Sequence, residues 1–327
     1  MEGPGLQACV VGAGSLGTLV AGYLAAGGVT CSIVAREPKA AMISTRGIEI
    51  KQLFSGKTIS TRNVRVISLV RDIPACDVII LCVKAFDVEA IVASLRDAEI
   101  VDPHRTALVL IQNGIGVEDI TRKAFPAIPI IRMTTTNGAM LVQPGFVHHT
   151  GEGDIHIGFW DAIRRARDEE VLRAIDHAFK QAGIVSSIST SMRRKVWEKA
   201  IVNAGINAVG ALFHVANGTI LEVPQLLDIS RRLTSEAIAV ASAMGNIISF
   251  DGHAAVQVVL EKTAANRNSM LQDIEKGRKT EIDHINGAFV AHGKQLGIDV
   301  SWNEFIIAAI HGIEALGRGR ALAPNIL

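Results

Sequence analysis

Length, composition and charge limit the classes of protein to which this chain can belong. Its 327 residues exceed the usual size of one hydrophobic core and favour two domains. Hydrophobic residues make up 49% and charged residues 20%, as in ordered globular proteins. The formal net charge is +1 and no basic block is present, which argues against a nucleic-acid partner.

The N-terminal residues, the lack of a long apolar stretch and the cysteines of the sequence favour a cytoplasmic protein. The N-terminal residues lack the positively charged segment of a secretory signal, and no apolar stretch reaches the length of a membrane span. The four cysteines lie in or beside predicted strands without metal-ligand spacing, so buried free thiols are expected. Composition leaves both a monomer and a homodimer open.

The first predicted element is an apolar strand, Ala8–Val11, that leads directly into a glycine motif. The motif reads Gly12-Ala13-Gly14-Ser15-Leu16-Gly17, and a helical pattern follows it. The first glycine permits a tight turn, the second lets a pyrophosphate approach the backbone, and the third lets the helix lie close to the strand. Because N–H groups at the helix start would face the phosphates, we predict a dinucleotide site. The alternative is a glycine turn that binds no ligand.

The end of the second predicted strand indicates which dinucleotide binds. Cys31–Ala35 is followed by Arg36, about 20 residues past the last glycine. NAD sites usually carry an acidic residue there for the ribose 2′-hydroxyl, whereas arginine suits the 2′-phosphate of NADP. Lys84, after the strand Val78–Val83, adds positive charge. NADP is therefore favoured; Glu37 as a ribose ligand and Arg36 as a solvated strand-end charge are the alternatives.

The first half of the chain alternates strands and helices, which indicates a parallel sheet with right-handed crossovers. Apolar strands are predicted at 7–11, 30–35, 78–83, 107–111 and 128–132. Shorter strands are predicted at Ile48–Ile50 and Val64–Val66. The glycine-rich segment 139–158 is predicted to form hairpin-like strands that close the sheet.

The second half follows a helical period, with predicted helices at 190–213, 223–247, 252–275 and 281–296. The predicted fold class is therefore α/β, with an N-terminal Rossmann-type parallel sheet domain at 1–187 and an all-helical C-terminal domain at 188–327. In a two-domain dehydrogenase of this kind, the second domain supplies most substrate contacts. Polar residues on the apolar helices of the second domain are therefore the candidate substrate-binding and catalytic residues.

A polar row follows one face of the first of these helices. Lys199, Asn203 and Asn207 are spaced i, i+4 and i+8 among apolar neighbours. Buried polar groups cost free energy unless they find partners, and a small oxygen-rich substrate would provide them. A lysine beside a carbonyl can donate a proton to the oxygen as hydride arrives. The other interpretation is a solvent-facing stripe.

A second group of polar residues lies between 268 and 283. Gly277 weakens the helix before it, and Thr280 with Asp283 resembles a capping box, so a helix is predicted to begin at Glu281. The helix dipole would favour a charged carboxylate there. Spacing alone favours Ser269 and Glu281 as an ordinary polar residue and an ordinary helix-start charge.

Together these motifs resemble the ketopantoate reductase (2-dehydropantoate 2-reductase) family over nearly the whole chain. The resemblance rests on the glycine motif, Val83-Lys84-Ala85, Gln112-Asn113-Gly114, Trp197-Glu198-Lys199 with Asn203 and Asn207, and Ser269-Met270-Leu271-Gln272-Asp273 leading to Thr280-Glu281-Ile282-Asp283. The last segment is the most specific. Gln112 stands where some members carry histidine.

The resemblance implies a role for each candidate residue. Lys199 would be the general acid that polarises the keto oxygen, and Glu281 the second catalytic residue. The implied substrate ligands are Asn203, Asn207, Ser269 and Asn113, the last also near the nicotinamide. Residues 12–17 with Arg36 and Lys84 would hold NADP(H), with Arg36 at its 2′-phosphate. The implied reaction is NADPH-dependent reduction of 2-dehydropantoate to pantoate, a step toward pantothenate and coenzyme A.

Two other functions remain open from the sequence. One is an NADP-dependent reductase of another 2-keto acid, or an opine-type dehydrogenase, on the same scaffold. The other is a non-catalytic NADP sensor, which would have no need of a proton donor at the nicotinamide. No metal is required by this chemistry, and His148, His149 and His156 are not expected to bind one.

Overall fold

The computed structural model describes residues 5–246 and 250–322 and divides the chain into two compact units. The first unit contains the chain up to Gln112 and Val117–Arg193. The second contains the short segment Asn113–Gly116 and the chain from Arg194 onward. The division therefore falls after Arg193 rather than after Ser187, and the loop 113–116 groups with the second unit.

The first unit is built on an eight-stranded sheet with the order β12-β11-β8-β7-β6-β1-β2-β5. All neighbouring strands in it are parallel except β8 and β11, which pair antiparallel. Its strands are β1 (Gln7–Val11), β2 (Thr30–Val34), β5 (Val64–Ile67), β6 (Val78–Leu81), β7 (Ala107–Leu110), β8 (Ile130–Thr135), β11 (Ile155–Phe159) and β12 (Ser186–Ile188).

A separate four-stranded sheet has the order β4-β3-β10-β9. Its strands are β3 (Ile48–Gln52), β4 (Thr58–Thr61), β9 (Gly138–Gln143) and β10 (Phe146–Gly151). The prediction that segment 139–158 closes the main sheet is therefore wrong for its first two strands, and only β11 joins that sheet. Strand length and glycine spacing carry no information about which sheet a hairpin will join, so the sequence could not distinguish the two.

Helices cover both faces of the main sheet, which explains why its central strands β6 and β7 are apolar and buried at every position. Val10 and Ile80 belong to a core on one face together with residues of α1 and α5, and Val11 and Leu81 belong to the core on the other face with residues of α3. Each such buried aliphatic side chain contributes about 1.5–3 kcal/mol. The helices of this unit are α1 (Ser15–Ala26), α2 (Lys39–Arg46), α3 (Val88–Asp97), α4 (Val117–Ala124) and α5 (Ala166–Gln181).

The second unit is helical throughout its described residues. Its helices are α6 (Met192–Phe213), which begins at the end of the first unit, α7 (Asn217–Glu222), α8 (Pro224–Ala243), α9 (Gly252–Lys262), α10 (Ser269–Glu275), α11 (Asn286–Leu296) and α12 (Ser301–Leu322). The predicted fold class, a Rossmann-type parallel sheet followed by a helical region, is confirmed. No helix of the described residues is long and apolar enough to cross a membrane.

Two predicted helices differ from the structure. The predicted helix 252–275 is two helices, because the Asn268 side chain accepts a hydrogen bond from the Leu271 N–H and starts α10 anew. The predicted helix at Glu281 instead begins at Asn286, after a single 3-10 turn at Ile282–His284. Ile282, Ile285 and Phe289 continue a helical spacing of apolar residues through the 3-10 turn, so this spacing did not reveal the second break.

Candidate active site

The glycine motif forms the tight turn between β1 and α1. Gly12 has a φ of +111°, and a Cβ there would lie 3.0 Å from the Cys82 carbonyl oxygen. A Cβ at Gly17 would lie 1.8 Å from the Gly12 carbonyl oxygen, so only glycine lets α1 begin this close to the turn. Gly14 is exposed, and a Cβ there would meet nothing within 4 Å. The turn thus leaves open space above its middle glycine.

The other three residues of the motif differ in exposure. Ala13 is buried, whereas Ser15 and Leu16 are half-buried. The Ser15 hydroxyl accepts a hydrogen bond from the Leu141 N–H at 3.2 Å, which ties the start of α1 to β9. This contact gives Ser15 a structural role in addition to any contact with a cofactor.

The turn lies between the ends of two strands that carry the predicted cofactor cations. The Gly12 N–H donates to the Val34 carbonyl at the end of β2, and the Cys82 N–H after β6 donates to Val11. Arg36 follows Val34 by two residues and is exposed, and Lys84 follows Cys82 by two residues and is half-buried. The parallel register therefore brings both cations to the edge of the sheet where α1 begins.

Glu37, the alternative ribose ligand, has its carboxylate engaged elsewhere. One oxygen accepts from the Ala41 N–H at 3.2 Å, and the other accepts from the Ser68 hydroxyl at 3.3 Å. The first contact holds the carboxylate against the start of α2. These contacts tie Glu37 to α2 and to Ser68.

In the second unit, α6 carries the polar row on one continuous helix. Lys199 and Asn203 are half-buried, and Asn207 is only 5% exposed. The row runs from partial to nearly complete burial, so it is not a solvent-facing stripe. The row therefore places one ammonium and two amides, groups that form hydrogen bonds, on a partly buried face of α6.

Ser269 is placed by the contact of α10 with α6. Asn268 lies against Gly210, where a Cβ would come within 2.3 Å of the Asn268 Nδ2 atom. The same amide donates to the Asn217 side chain at 3.4 Å. Gly210 lies one turn beyond Asn207 on α6. Ser269 is the exposed first residue of α10 and directly follows Asn268, the residue that contacts α6 at Gly210.

Glu281 is 6% exposed and precedes the 3-10 turn Ile282–His284. The Asn113 side-chain amide donates to its carboxylate at 3.4 Å, although the two residues lie 168 positions apart. The predicted capping box is wrong: the Thr280 N–H donates to Glu314, and Asp283 pairs with His311 at 2.9 Å. The structure thus brings together two of the residues named from the sequence, Asn113 and Glu281.

Sequence reasoning missed the residues that fasten these segments to α6. The fully buried Asn286 donates to the Ala204 carbonyl at 3.2 Å and to the Asn303 side chain at 2.9 Å. Ala204 directly follows Asn203, so the start of α11 is held against the middle of the polar row. The available signal was an asparagine among apolar residues in a predicted helix, the same signal that identified Asn203 and Asn207.

The histidines considered as metal ligands have other contacts. His149 bonds the Tyr23 hydroxyl at 2.7 Å and the Asn137 side chain at 2.8 Å, and burial lowers its pKa. His156 bonds the Ser187 hydroxyl at 2.7 Å. Within residues 5–246 and 250–322, no group of three or more histidine, cysteine, aspartate or glutamate residues could hold a metal ion.

Comparison with protein families gives a match in both units. Residues 8–162 match the family described as ketopantoate reductase PanE/ApbA, and residues 191–314 match its C-terminal domain. Together these matches cover more than half of the chain and contain every candidate site residue named from the sequence.

Individual relatives carry the same description. A 2-dehydropantoate 2-reductase of Pyrococcus horikoshii is 34% identical over 95% of this chain and 98% of its own length. One of Archaeoglobus fulgidus is 32% identical over 94% of this chain and 97% of its own length. The similarity therefore extends over nearly the whole length of both chains.

Solved structures share the fold. The 2-dehydropantoate 2-reductase of Geobacter metallireducens GS-15 has a TM-score of 0.83 at 26% identity, covering 94% of this chain and 99% of its own. A D-mandelate dehydrogenase with NADH and anilino(oxo)acetate has a TM-score of 0.85 over 96% of this chain and all of its own, but its 22% identity shows the fold alone. The family matches and the relatives agree, and the chain belongs to the ketopantoate reductase PanE/ApbA family.

Proposed function

We propose that this chain reduces 2-dehydropantoate to pantoate with NADPH, and that it does so with the residues described above. It is an NADP-dependent oxidoreductase of the 2-dehydropantoate 2-reductase type. The observation that carries the assignment of residues is the Asn113–Glu281 contact at 3.4 Å, because it joins two family motifs that are distant in sequence. The polar row on α6 supplies the remaining groups.

The first unit has the features that NADP requires. The glycine turn leaves space above Gly14, and the N–H groups of the first turn of α1 can meet a pyrophosphate there. Arg36 offers a guanidinium to a 2′-phosphate, while the contacts of Glu37 with Ala41 and Ser68 remove the acidic residue that an NAD site would use. Lys84 adds a second positive charge at the same edge of the sheet.

The residues of the second unit perform the acid chemistry. When bound, NADPH supplies the hydride that reaches the keto carbon. The Lys199 ammonium donates a hydrogen bond to the keto oxygen, stabilises the negative charge that develops on it and then gives it a proton. Glu281, held by the Asn113 amide, orients the substrate and Lys199. The product gains one hydride and one proton, which accounts for the new C–H and O–H bonds.

The amides and the hydroxyl of this unit hold the substrate. Asn203, Asn207 and Ser269 can each donate a hydrogen bond to a carboxylate or hydroxyl oxygen of a small 2-keto acid. Several donors directed at one small molecule fix its orientation, and correct orientation of the keto carbon is worth a large part of the rate. We therefore assign the cofactor to the first unit and most substrate contacts to the second.

We also propose an oligomeric state and a cellular location for this chain. A homodimer through the helical unit would cover Phe213, Phe305 and Leu316, which are 43%, 60% and 71% exposed. Sedimentation equilibrium tests the homodimer, and a monomer at all concentrations contradicts it.

The cytoplasm is the proposed compartment, since all four cysteines are free. Detection of the tagged chain in separated cell fractions tests this location. Recovery in the cytoplasmic fraction supports the location, and recovery elsewhere contradicts it.

The decisive experiment follows the loss of NADPH absorbance with the purified chain. 2-Dehydropantoate is compared with 2-ketoisovalerate and pyruvate, and NADPH with NADH. Rapid turnover selective for 2-dehydropantoate and NADPH is the expected result. Turnover of another keto acid instead would contradict the proposed substrate. NADPH binding without turnover of any of the three would also contradict it and would favour a different keto acid or a sensor.

A further inference from the structure

The loop 113–116 contacts the 3-10 turn Ile282–His284 through its backbone. The Ile115 N–H donates to the His284 carbonyl oxygen at 2.9 Å. Gly114 is buried with a φ of +84°, and a Cβ there would lie 2.0 Å from that oxygen and 2.5 Å from its carbon. Both obstructing atoms are backbone, so no side-chain rotation can relieve the overlap. The loop can approach the turn this closely only because residue 114 has no side chain.

The same turn presents Glu281 and accepts the loop. The His284 N–H donates to the Glu281 carbonyl at 3.0 Å, so Glu281, which precedes the turn, is fixed relative to the last residue of the turn. Asn113 precedes Gly114, and its amide meets the Glu281 carboxylate. The loop and the turn are therefore joined at two points, one by backbone at His284 and one by side chains at Glu281.

We infer that Gly114 is a positioning residue, which acts by letting the loop seat against His284 and thereby fixing the Asn113 amide on the Glu281 carboxylate. This inference rests on the proposed function of Asn113 and Glu281. It assigns a purpose to the glycine of the Gln112-Asn113-Gly114 motif that differs from supplying a flexible turn. Without the close approach, Asn113 would not be held at hydrogen-bond distance.

The chain contains a matched control two residues away. Gly116 also has a positive φ, +101°, but a Cβ there would meet nothing within 4 Å. Gly114→Ala and Gly116→Ala therefore impose the same kind of backbone strain, and only the first also obstructs the His284 carbonyl. The difference between the two variants isolates the close approach from the left-handed conformation.

The test measures kcat and KM for 2-dehydropantoate in the full chain for both variants. Gly114→Ala should lower kcat by about 10²-fold, since a displacement of about 1 Å in a catalytic group can have that effect. Gly116→Ala should lower it far less. NADPH affinity should be unchanged in both. Equal losses of kcat in the two variants would overturn the inference.

A double-mutant cycle asks whether Gly114 acts through Asn113. If it does, Gly114→Ala should have little further effect on kcat in an Asn113→Ala background, because the group that it positions is already absent. A purely structural role would instead multiply the two losses. Undiminished loss in the double variant would therefore overturn the inference.

Amide hydrogen exchange at Ile115, followed by NMR, separates this inference from the proposed function. The Ile115 N–H should exchange slowly in the unmodified chain and in Gly116→Ala, and quickly in Gly114→Ala. This readout needs no turnover, so it applies even if 2-dehydropantoate is not the substrate. If Gly114→Ala fails to fold, the unmodified chain still decides: slow exchange at Ile115 supports the seated loop, and fast exchange overturns it.

Discussion

The first unit positions its candidate residues by the register of its sheet, whereas the second also relies on buried side-chain amides. In the first unit, Arg36 and Lys84 follow strands whose register in the parallel sheet fixes where they emerge. In the second, Asn268 and Asn286 fasten α10 and α11 to α6. All buried asparagines among the described residues lie in the second unit: Asn207, Asn217, Asn268, Asn286 and Asn303.

The difference follows from the hydrogen bonding of the two kinds of element. Each strand of a sheet is aligned with its neighbour by a ladder of backbone hydrogen bonds, which leaves its edge residues in fixed places. A helix satisfies its own backbone internally, so no ladder of backbone hydrogen bonds sets its position against the next helix. Asparagine carries both a donor and an acceptor on a short side chain, and so it can fix one helix to a chosen residue of the next.

The largest expected effect comes from the acid in the second unit. Lys199→Ala should lower kcat by about 10²–10⁴-fold, the usual contribution of a positioned general acid, while NADPH affinity stays the same. Steady-state rates with 2-dehydropantoate and fluorescence titration with NADPH measure the two quantities. Lys262→Ala, an exposed lysine in α9, is the control. Wild-type turnover in Lys199→Ala would remove this residue from the mechanism.

A smaller effect is expected for the cation at the end of β2. Arg36→Ala should weaken NADPH binding by about 10–100-fold, the value of one hydrogen bond to a charged group, and leave NADH binding nearly unchanged. Only NADPH carries the 2′-phosphate that the guanidinium would bind. Arg46→Ala, an exposed arginine at the end of α2, should alter neither affinity. Equal weakening of both cofactors would mean that Arg36 has a structural role.

The same contrast explains what the sequence could predict. The five main strands and the glycine turn were predicted because alternating apolar segments and glycine spacing report backbone geometry directly. The face shared by Lys199, Asn203 and Asn207 followed from the helical repeat. The break before α10 had a local signal, because Asn268 is a favoured N-cap residue. The 3-10 turn after Glu281 was not predictable, because it depends on a contact of Thr280 with α12 that is distant in sequence.

The contact of α10 with α6 depends on the absence of a side chain at Gly210. Gly210→Ala would bring a Cβ within 2.3 Å of Asn268 Nδ2, so we expect a loss of about 1–3 kcal/mol in the free energy of unfolding. The KM for the keto acid should also rise, because Ser269 moves with Asn268.

The matched control for that variant is Gly312→Ala. Gly312 lies in α12, where a Cβ would meet nothing within 4 Å, so the exchange should stabilise by about 0.5–1 kcal/mol through helix propensity alone. Urea unfolding of both variants gives the comparison. Stabilisation by Gly210→Ala would show that the Asn268 contact does not constrain α6.

The smallest expected effect concerns Asp77 of the first unit. Its buried side chain joins several elements, as the buried asparagines do in the second unit. The Asp77 carboxylate accepts from the Gln7 N–H at 2.9 Å, from Arg105 at 2.9 Å and from Arg167, joining β1, β6 and α5. Burial acts to raise the pKa of Asp77, but the Gln7 hydrogen bond and the two arginines outweigh it and hold the pKa below its usual range.

A pKa that is lower in the folded state gives a stabilisation with a defined pH range. The contribution is present above the unfolded value of about 3.9 and is lost as the pH falls through the folded value. Asp77→Asn should therefore cost about 1–2 kcal/mol at pH 7 and progressively less below pH 4, while the exposed Asp97→Asn should cost little at either pH. If Asp77→Asn destabilised the chain as much as Gly210→Ala, the first unit would also depend on side-chain contacts for its alignment. Because the eight-stranded ladder remains intact without this carboxylate, we expect the smaller loss.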